Sequence, residues 1–233
     1  ACNIKLKNIA HPDLHFSYPT VSTEDVKTKP KSLDFLADWR EFILKNPYGG
    51  LFDWYKQLGV QNKQGLIRVE DAQEVLKSLA LKSFEGGYKI MIVWMADRMN
   101  IEASNKLLKI LEEPPEKTLF ILISDDEESI IQTIRSRCQV LHFNGIPEEI
   151  IAEALVTSEN MDPREAKKLA HQAQGNFSKA LHLLHEDSEE QPFEEWFVLW
   201  VRAAFRAKGN ASAINDLIAW SEQIAGLGRE AQK

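Results

Sequence analysis

Two apolar runs constrain this chain more than anything else in it: Tyr88-Lys-Ile-Met-Ile-Val-Trp-Met95 and Thr118-Leu-Phe-Ile-Leu-Ile-Ser124. Neither alternates cleanly with polar residues, so each reads as a strand covered on both faces, as in a parallel sheet. Between them Ser104-Asn-Lys-Leu-Leu-Lys-Ile-Leu-Glu-Glu113 carries helical spacing. Pro114 and Pro115 end that helix, because proline has no backbone donor and pushes its predecessor out of helical space. After the second run come a short helix and an exposed Arg135-Ser136-Arg137-Cys138. Strand, helix, strand, helix describes an α/β fold. In such sheets the residues that do chemistry sit beyond the carboxyl ends of the strands.

At 233 residues, 44% apolar and 27% charged, the chain has room for a substantial core and more than one domain. No window approaches the roughly 18 consecutive apolar residues of a membrane span. The first residues lack the zones of a secretion signal, and with only Cys2 and Cys138 the chain builds neither a disulfide framework nor a four-cysteine zinc site. A cytoplasmic protein without metal or cofactor is expected. The net charge is −7, with basic residues in excess over 1–68 and acidic ones over 69–233. A free-standing DNA binder carries a basic patch, so contact with nucleic acid would come largely through partners.

Along the chain, Leu14-His-Phe-Ser-Tyr18 alternates as a short strand within a turn-rich start. Ser32 is placed to cap a helix over residues 33–45, which Asn46-Pro47-Tyr48-Gly49-Gly50 breaks. A shorter helix over 51–58 ends at Gly59, and its Phe52, Trp54 and Tyr55 read as packing residues. Residues 69–82 form an amphipathic helix, Gly86-Gly87 turns into the first central strand, and residues 139–143 suggest one more strand. From Pro147 onward helices dominate: one opens at Pro147-Glu148-Glu149, one is capped at Asp162 and ends at Gly175, and one is capped at Asn176. A polar linker at 186–192 precedes two apolar helices, about 193–207 and 211–225, carrying Trp196, Phe197, Trp200, Phe205 and Trp220. Those aromatic faces ask either for a shared core or for a covering subunit.

The segment Asn105-Lys-Leu-Leu-Lys-Ile-Leu-Glu-Glu-Pro-Pro115, followed by Ser136-Arg137-Cys138, resembles the AAA+ clamp-loader subunits of DNA polymerases. The likeness spans about residues 69–184, with His11-Pro12-Asp13 a weaker echo upstream. Both motifs at this spacing make a specific signal; either alone would be weak. The resemblance implies an N-terminally truncated AAA+ parallel-sheet core over residues 1–144, with a helical insertion at about 32–58. A small helical lid over 145–187 and the start of an all-helical collar over 188–233 would follow.

It also implies where nucleotide chemistry would sit. No Gly-Lys-Ser/Thr phosphate loop occurs, and truncation and true absence stay open on that point. ATP-hydrolysing members end the first central strand with two carboxylates, one for magnesium and one to orient water; here those places hold Trp94 and Met95. An indole and a thioether do neither job. The lid arginine of Gly-x-x-Arg-x-Ala-Leu is replaced by Ser178 in Gly175-Asn-Phe-Ser-Lys-Ala-Leu181, and the adjacent Lys179 would point about 100° around the helix.

One family part is kept, the Ser136-Arg137-Cys138 triplet. In the family this arginine serves a neighbour's ATP site in trans, a task suited to an always-charged, planar guanidinium. The plain alternative is a surface salt-bridge arginine. Arg135 reads as a supporting charge and Cys138 as a small buried apolar residue. Relatives commonly carry a four-cysteine zinc module upstream, of which Cys2 would be a remnant.

The function these features imply is a non-hydrolysing scaffold subunit that offers an arginine finger during sliding-clamp loading in DNA replication. Its partners would be ATPase (gamma/tau) subunits, a delta subunit, the sliding clamp and, through the complex, primed DNA. Two readings remain beside it: a gamma/tau-like ATPase whose phosphate loop was removed with the N-terminus, and a solitary interaction module.

Overall fold

The computed structural model describes residues 2–60, 63–186, 193–208 and 210–225. Apart from Glu186, the expected linker at 186–192 lies outside them, as does the side chain of Trp196. The chain folds as two units, residues 1–142 and 143–233.

The first unit opens with a short helix, α1 (Cys2–Lys7), that sequence spacing does not reveal, and then β1 (Leu14–Ser17). A 3-10 turn (Ser32–Phe35) leads into α2 (Leu36–Lys45), followed by α3 (Leu51–Gln57) and α4 (Val69–Ala80). Then come β2 (Lys89–Trp94), a 3-10 turn (Ala96–Arg98), α5 (Ile101–Glu112), β3 (Thr118–Ile123) and α6 (Gln132–Arg135). The three strands are parallel in the order β1-β2-β3, with Ser17 beside Val93 and Trp94 beside Ile123.

β2 is the middle strand, and its two-residue period assigns each side chain to one of two cores. Met91 and Val93 join Ile67, Val75 and Leu79 of the α4 side with Ala103 and Leu107 of α5. On its other face Trp94 packs against a cluster of Tyr18, Trp39, Phe42, Trp54 and Tyr55, which the 32–58 insertion largely supplies. Tyr18 stacks on Trp39 at 4.1 Å, and Trp54 donates its Nε1–H to the Pro19 carbonyl at 2.8 Å. Trp54 and Tyr55 are buried, as packing residues should be.

Ser32 does not cap a helix. Its hydroxyl accepts the Tyr18 amide at 3.0 Å, and its own amide donates to Asp71 Oδ1 at 2.6 Å. Asp71 Oδ2 meanwhile accepts the Arg68 amide at the start of α4. The serine therefore ties the insertion to both the strand and α4, and helix α2 begins three residues later than Ser32 would set it.

Two strand expectations need correction. The sheet is not covered on both faces along β3: Phe120 and Leu122 pack on the core, whereas Leu119, Ile121 and Ile123 stay 47, 38 and 42% exposed. Residues 139–143 form no strand, and Val140 and Leu141 are exposed. Their apolar character suits a strand, but among the described residues no strand offers them hydrogen-bonding partners, and β propensity without a neighbour does not make a sheet.

The second unit is helical: α7 (Glu148–Ser158), α8 (Pro163–Ala173), α9 (Phe177–Glu186), α10 (Phe193–Arg206) and α11 (Ala211–Ala225). Asp162 caps α8 through the Arg164 amide at 2.8 Å, and Asn176 accepts the Lys179 amide at 3.0 Å. Helices α7 to α9 pack on Ile151, Leu155 and five alanines, Ala152, Ala166, Ala170, Ala173 and Ala180, whose small side chains allow close approach. At Gly175 (φ 87°) a Cβ would meet the Gly145 Cα at 2.9 Å, so only glycine fits this crossing. α10 packs on α11, with Trp200 and Trp220 centroids 6.0 Å apart, while Phe197 and Phe205 remain exposed.

Candidate functional site

In the first unit Trp94 and Met95 stand at the carboxyl end of β2, whereas Ser136, Arg137 and Cys138 follow α6, well after β3 in the chain. At the end of β2, the Trp94 ring lies 5.1 Å from Trp39 and 6.2 Å from Phe42. Met95 is buried in a left-handed conformation (φ 55°, ψ 56°), an arrangement that costs a side-chain-bearing residue about 1–2 kcal/mol. Its carbonyl accepts the Arg98 amide at 2.9 Å and so closes the 3-10 turn after the strand. Neither residue presents an oxygen ligand to solvent; both are packing groups.

Two residues on, Asp97 is aimed across the sheet. Its side chain is 5% exposed, and Ser124 at the end of β3 donates its hydroxyl to Asp97 Oδ1 at 3.0 Å. Arg98 Nε stands 3.0 Å from the other carboxylate oxygen. Burial, and then the Asp97 charge, push the Asp125 carboxyl above its ordinary range. This acid–hydroxyl pair ties the two strand ends together, a role that residue spacing alone does not reveal.

Beyond β3 the chain builds a different surface. Ile134, 1% exposed, anchors α6 in the core. The helical turn continues through Ser136, Arg137 and Cys138, whose amides donate to the Gln132, Ile134 and Arg135 carbonyls. Ser136 also returns its hydroxyl to the Thr133 carbonyl at 3.2 Å. Arg137 leaves this turn with its guanidinium at the surface: Nη1 donates to the Thr133 carbonyl at 2.9 Å and Nη2 to Glu112 Oε2 at 3.1 Å. Its side chain is 31% exposed and that of Glu112 60%. Arg137 is thus in an ion pair, as a surface salt-bridge residue would be, but in one open to solvent.

Arg135 is more enclosed. It donates to Glu128 at 3.0 Å and to Gln132 at 2.8 Å, and lies 3.7 Å from Glu127, a brace for the loop before α6. Cys138 is half-buried, not fully buried as its apolar character suggests, and burial pushes its thiol up. Ser178 belongs to the second unit, half-buried in the first turn of α9, with Lys179 exposed beside it.

Upstream, His11-Pro12-Asp13 has a structural task. Asp13 is buried and accepts the Phe84 and Glu85 amides at 2.8 and 3.1 Å and the Ser83 hydroxyl at 3.2 Å. Although burial opposes ionisation, these donors hold its carboxyl below the usual range. The motif fixes the loop that feeds β2. Next to it, ligand-capable atoms of Cys2, His11 and Glu85 lie within 4.8 Å of one another, with Lys5 already paired to Glu85 at 3.0 Å. His11 is largely buried while Cys2 and Glu85 are exposed, and Glu85 is also within ion-pair distance of His11 at 3.3 Å.

The first unit thus defines an open parallel α/β sheet with polar groups at both ends of its strands. The sequence profile described as "DNA polymerase III, delta subunit" matches residues 1–147, and the chain belongs to that family of clamp-loader subunits. Among curated relatives, the delta prime subunit of DNA polymerase III from Bacillus subtilis is 32% identical over 121 residues, covering 52% of this chain and 36% of the relative. The delta prime subunit from Haemophilus influenzae is 34% identical over 125 residues, covering 54% and 38%. The gamma subunit from Buchnera aphidicola (Acyrthosiphon pisum) is 34% identical over 122 residues, covering 50% and 34%. The match therefore spans little more than a third of the length of these relatives. Among the described residues no helix is long and apolar enough to cross a membrane.

Proposed function

We propose that this chain is a non-hydrolysing, delta prime-type scaffold of the clamp loader, which places Arg137 in trans against the ATP site of an adjacent gamma/tau subunit. Residues 1–144 would be the AAA+ core, residues 145–187 its lid and residues 188–233 the start of the collar. The delta subunit, the sliding clamp and primed DNA would be reached through the complex. The observation that carries this reading is the contrast between the β2 end and the turn after α6. The position that should bind magnesium and orient water is filled by packed Trp94 and Met95, while Arg137 stands on an anchored, solvent-facing turn.

The chemistry asked of Arg137 is electrostatic. As the terminal phosphoryl group leaves, charge spreads over its oxygens, and a guanidinium stabilises that charge without proton transfer; such fingers are worth about 10³–10⁵ in turnover. With Trp94 and Met95 at the places of the two carboxylates, the chain would supply this half of a site and its neighbour the metal-binding half.

The test is reconstitution of the full-length chain with the ATPase subunits, delta, clamp and primed DNA. Arg137→Ala is expected to leave assembly intact while lowering DNA-dependent ATP hydrolysis and clamp loading together. Unchanged rates in a verified complex would remove the finger assignment. The similar identity to a gamma subunit favours a second reading, an ATPase subunit in its own right. That reading has the phosphate loop removed along with the N-terminus, so it predicts turnover by the purified full-length protein carrying the loop, where the scaffold reading predicts none.

A further inference from the structure

Glu112 is the last residue of α5, where a carboxylate faces the negative end of the helix dipole. Helix stability does not explain an acid there, still less one followed by Glu113. What Glu112 does make is the contact with Arg137, across a chain separation of 25 residues, from the end of α5 to the turn after α6. A carboxylate and a phosphate are the same kind of ligand to a guanidinium: two oxygens in a plane, both able to accept its forked donors. Arg137 cannot give the same Nη2 donor fully to both. The other contact, to the Thr133 carbonyl, lies within the turn itself and need not break when the guanidinium is handed over.

We propose that Glu112 is a latch on Arg137: it holds the guanidinium in the resting subunit and must release it before a neighbour's phosphate takes its place. The proposal rests on the reading of Arg137 as a trans-acting finger. The pair is graded for this use. It is open to solvent on both sides, so it orients the guanidinium yet opens at small cost, unlike a buried pair whose rupture would strand a charge. Arg135 shows the contrast, since three partners in a more enclosed setting fix it as a brace. The latch makes the finger's availability depend on competition between two anions, so that the neighbour engages Arg137 when its phosphates are in place and loses it to Glu112 when they are gone.

The experiment compares the reconstituted complex carrying wild-type chain, Glu112→Gln, Arg137→Ala and the double variant, with kcat/KM for DNA-dependent ATP hydrolysis as readout. Glu112→Gln keeps the shape and removes the charge, so kcat/KM should rise about two- to fivefold, the range that release of an exposed ion pair allows. The gain should shrink as salt is added, because screening already weakens the pair, and it should vanish in the Arg137→Ala background. A fall in kcat/KM, no change, or a gain that survives removal of Arg137 would each overturn the latch. If Arg137→Ala lowers turnover while Glu112→Gln changes nothing, the latch fails and the finger stands. If Arg137→Ala itself is silent in an assembled complex, both fail. Glu112→Ala serves as the second variant should Glu112→Gln assemble poorly, with the same gain expected.

Discussion

At the carboxyl end of β2 the chain places Trp94 among Trp39 and Phe42 and buries Met95; after β3 and α6 it places Arg137 on a turn open to solvent. The first region contributes to stability, and the second contributes almost nothing to it. In an active nucleotide site the two would share one task, with carboxylates on one strand end and an electropositive group nearby. Here the aromatic cluster that the insertion largely supplies packs against Trp94, which makes the end of β2 a packing location. The second presents a guanidinium that donates to the Thr133 carbonyl within its own turn and to Glu112 in an exposed ion pair. The two regions thus divide a buried packing cluster from an exposed charge.

That contrast can be broken in several ways. The largest effect should come from the packing side. Trp39→Ala removes the ring on which Tyr18 stacks and against which Trp54 and Trp94 pack, and should cost about 3–5 kcal/mol in urea unfolding. A loss under 1 kcal/mol would mean that the β2 end is not a packing site. Next, restoring carboxylates with Trp94→Asp and Met95→Glu should destabilise the chain by at least about 2 kcal/mol, because the new acids face apolar neighbours. The same double variant should gain no ATP hydrolysis; measurable turnover would show that the strand end is still equipped.

Asp71 gives a smaller and pH-dependent test of how the insertion is tied down. Burial raises its carboxyl above the ordinary range despite donors from Ser32 and Arg68. A carboxyl whose pKa is raised on folding contributes stability that is fully present below its unfolded value, near 3.9, and is lost as pH rises through the folded value. The stability difference between wild type and Asp71→Asn should therefore move against wild type as pH climbs out of the aspartate range, as measured by urea midpoints across that window. A difference flat with pH would show that Asp71 titrates normally. The smallest effect belongs to Arg137→Ala, which should change stability by no more than about 1 kcal/mol, as expected of an exposed pair.

Much of the scaffold was legible in the sequence because periodicity and punctuation agree there. The two apolar runs, the Pro114-Pro115 stop and the caps at Asp162 and Asn176 all appear as elements close to where the residues place them. The failures share one cause. Ser32 has the residue type of a helix cap, but Tyr18 and Asp71 claim its hydrogen bonds from 14 and 39 residues away. Residues 139–143 have strand composition and lack a strand partner among the described residues. Exposure of Leu119, Ile121 and Ile123 likewise depends on what covers β3, which a local pattern does not encode. For the site, the retained triplet and the replaced carboxylates could be read from motif positions. Glu112 and the Asp97–Ser124 pair could not, since each matters only through a contact made in three dimensions.

The central claim, that the chain supplies one half of a catalytic site to a neighbour, is tested most directly by single-turnover hydrolysis in a complex already loaded with ATP. Chemistry is then separated from nucleotide binding and from assembly. Wild-type chain should accelerate hydrolysis by the adjacent ATPase subunit. Arg137→Ala should abolish most of that acceleration, and Arg137→Lys should restore little of it, because an ammonium keeps the charge and loses the planar fork. Equal single-turnover rates for wild type and Arg137→Ala, in complexes of the same composition, would contradict the account.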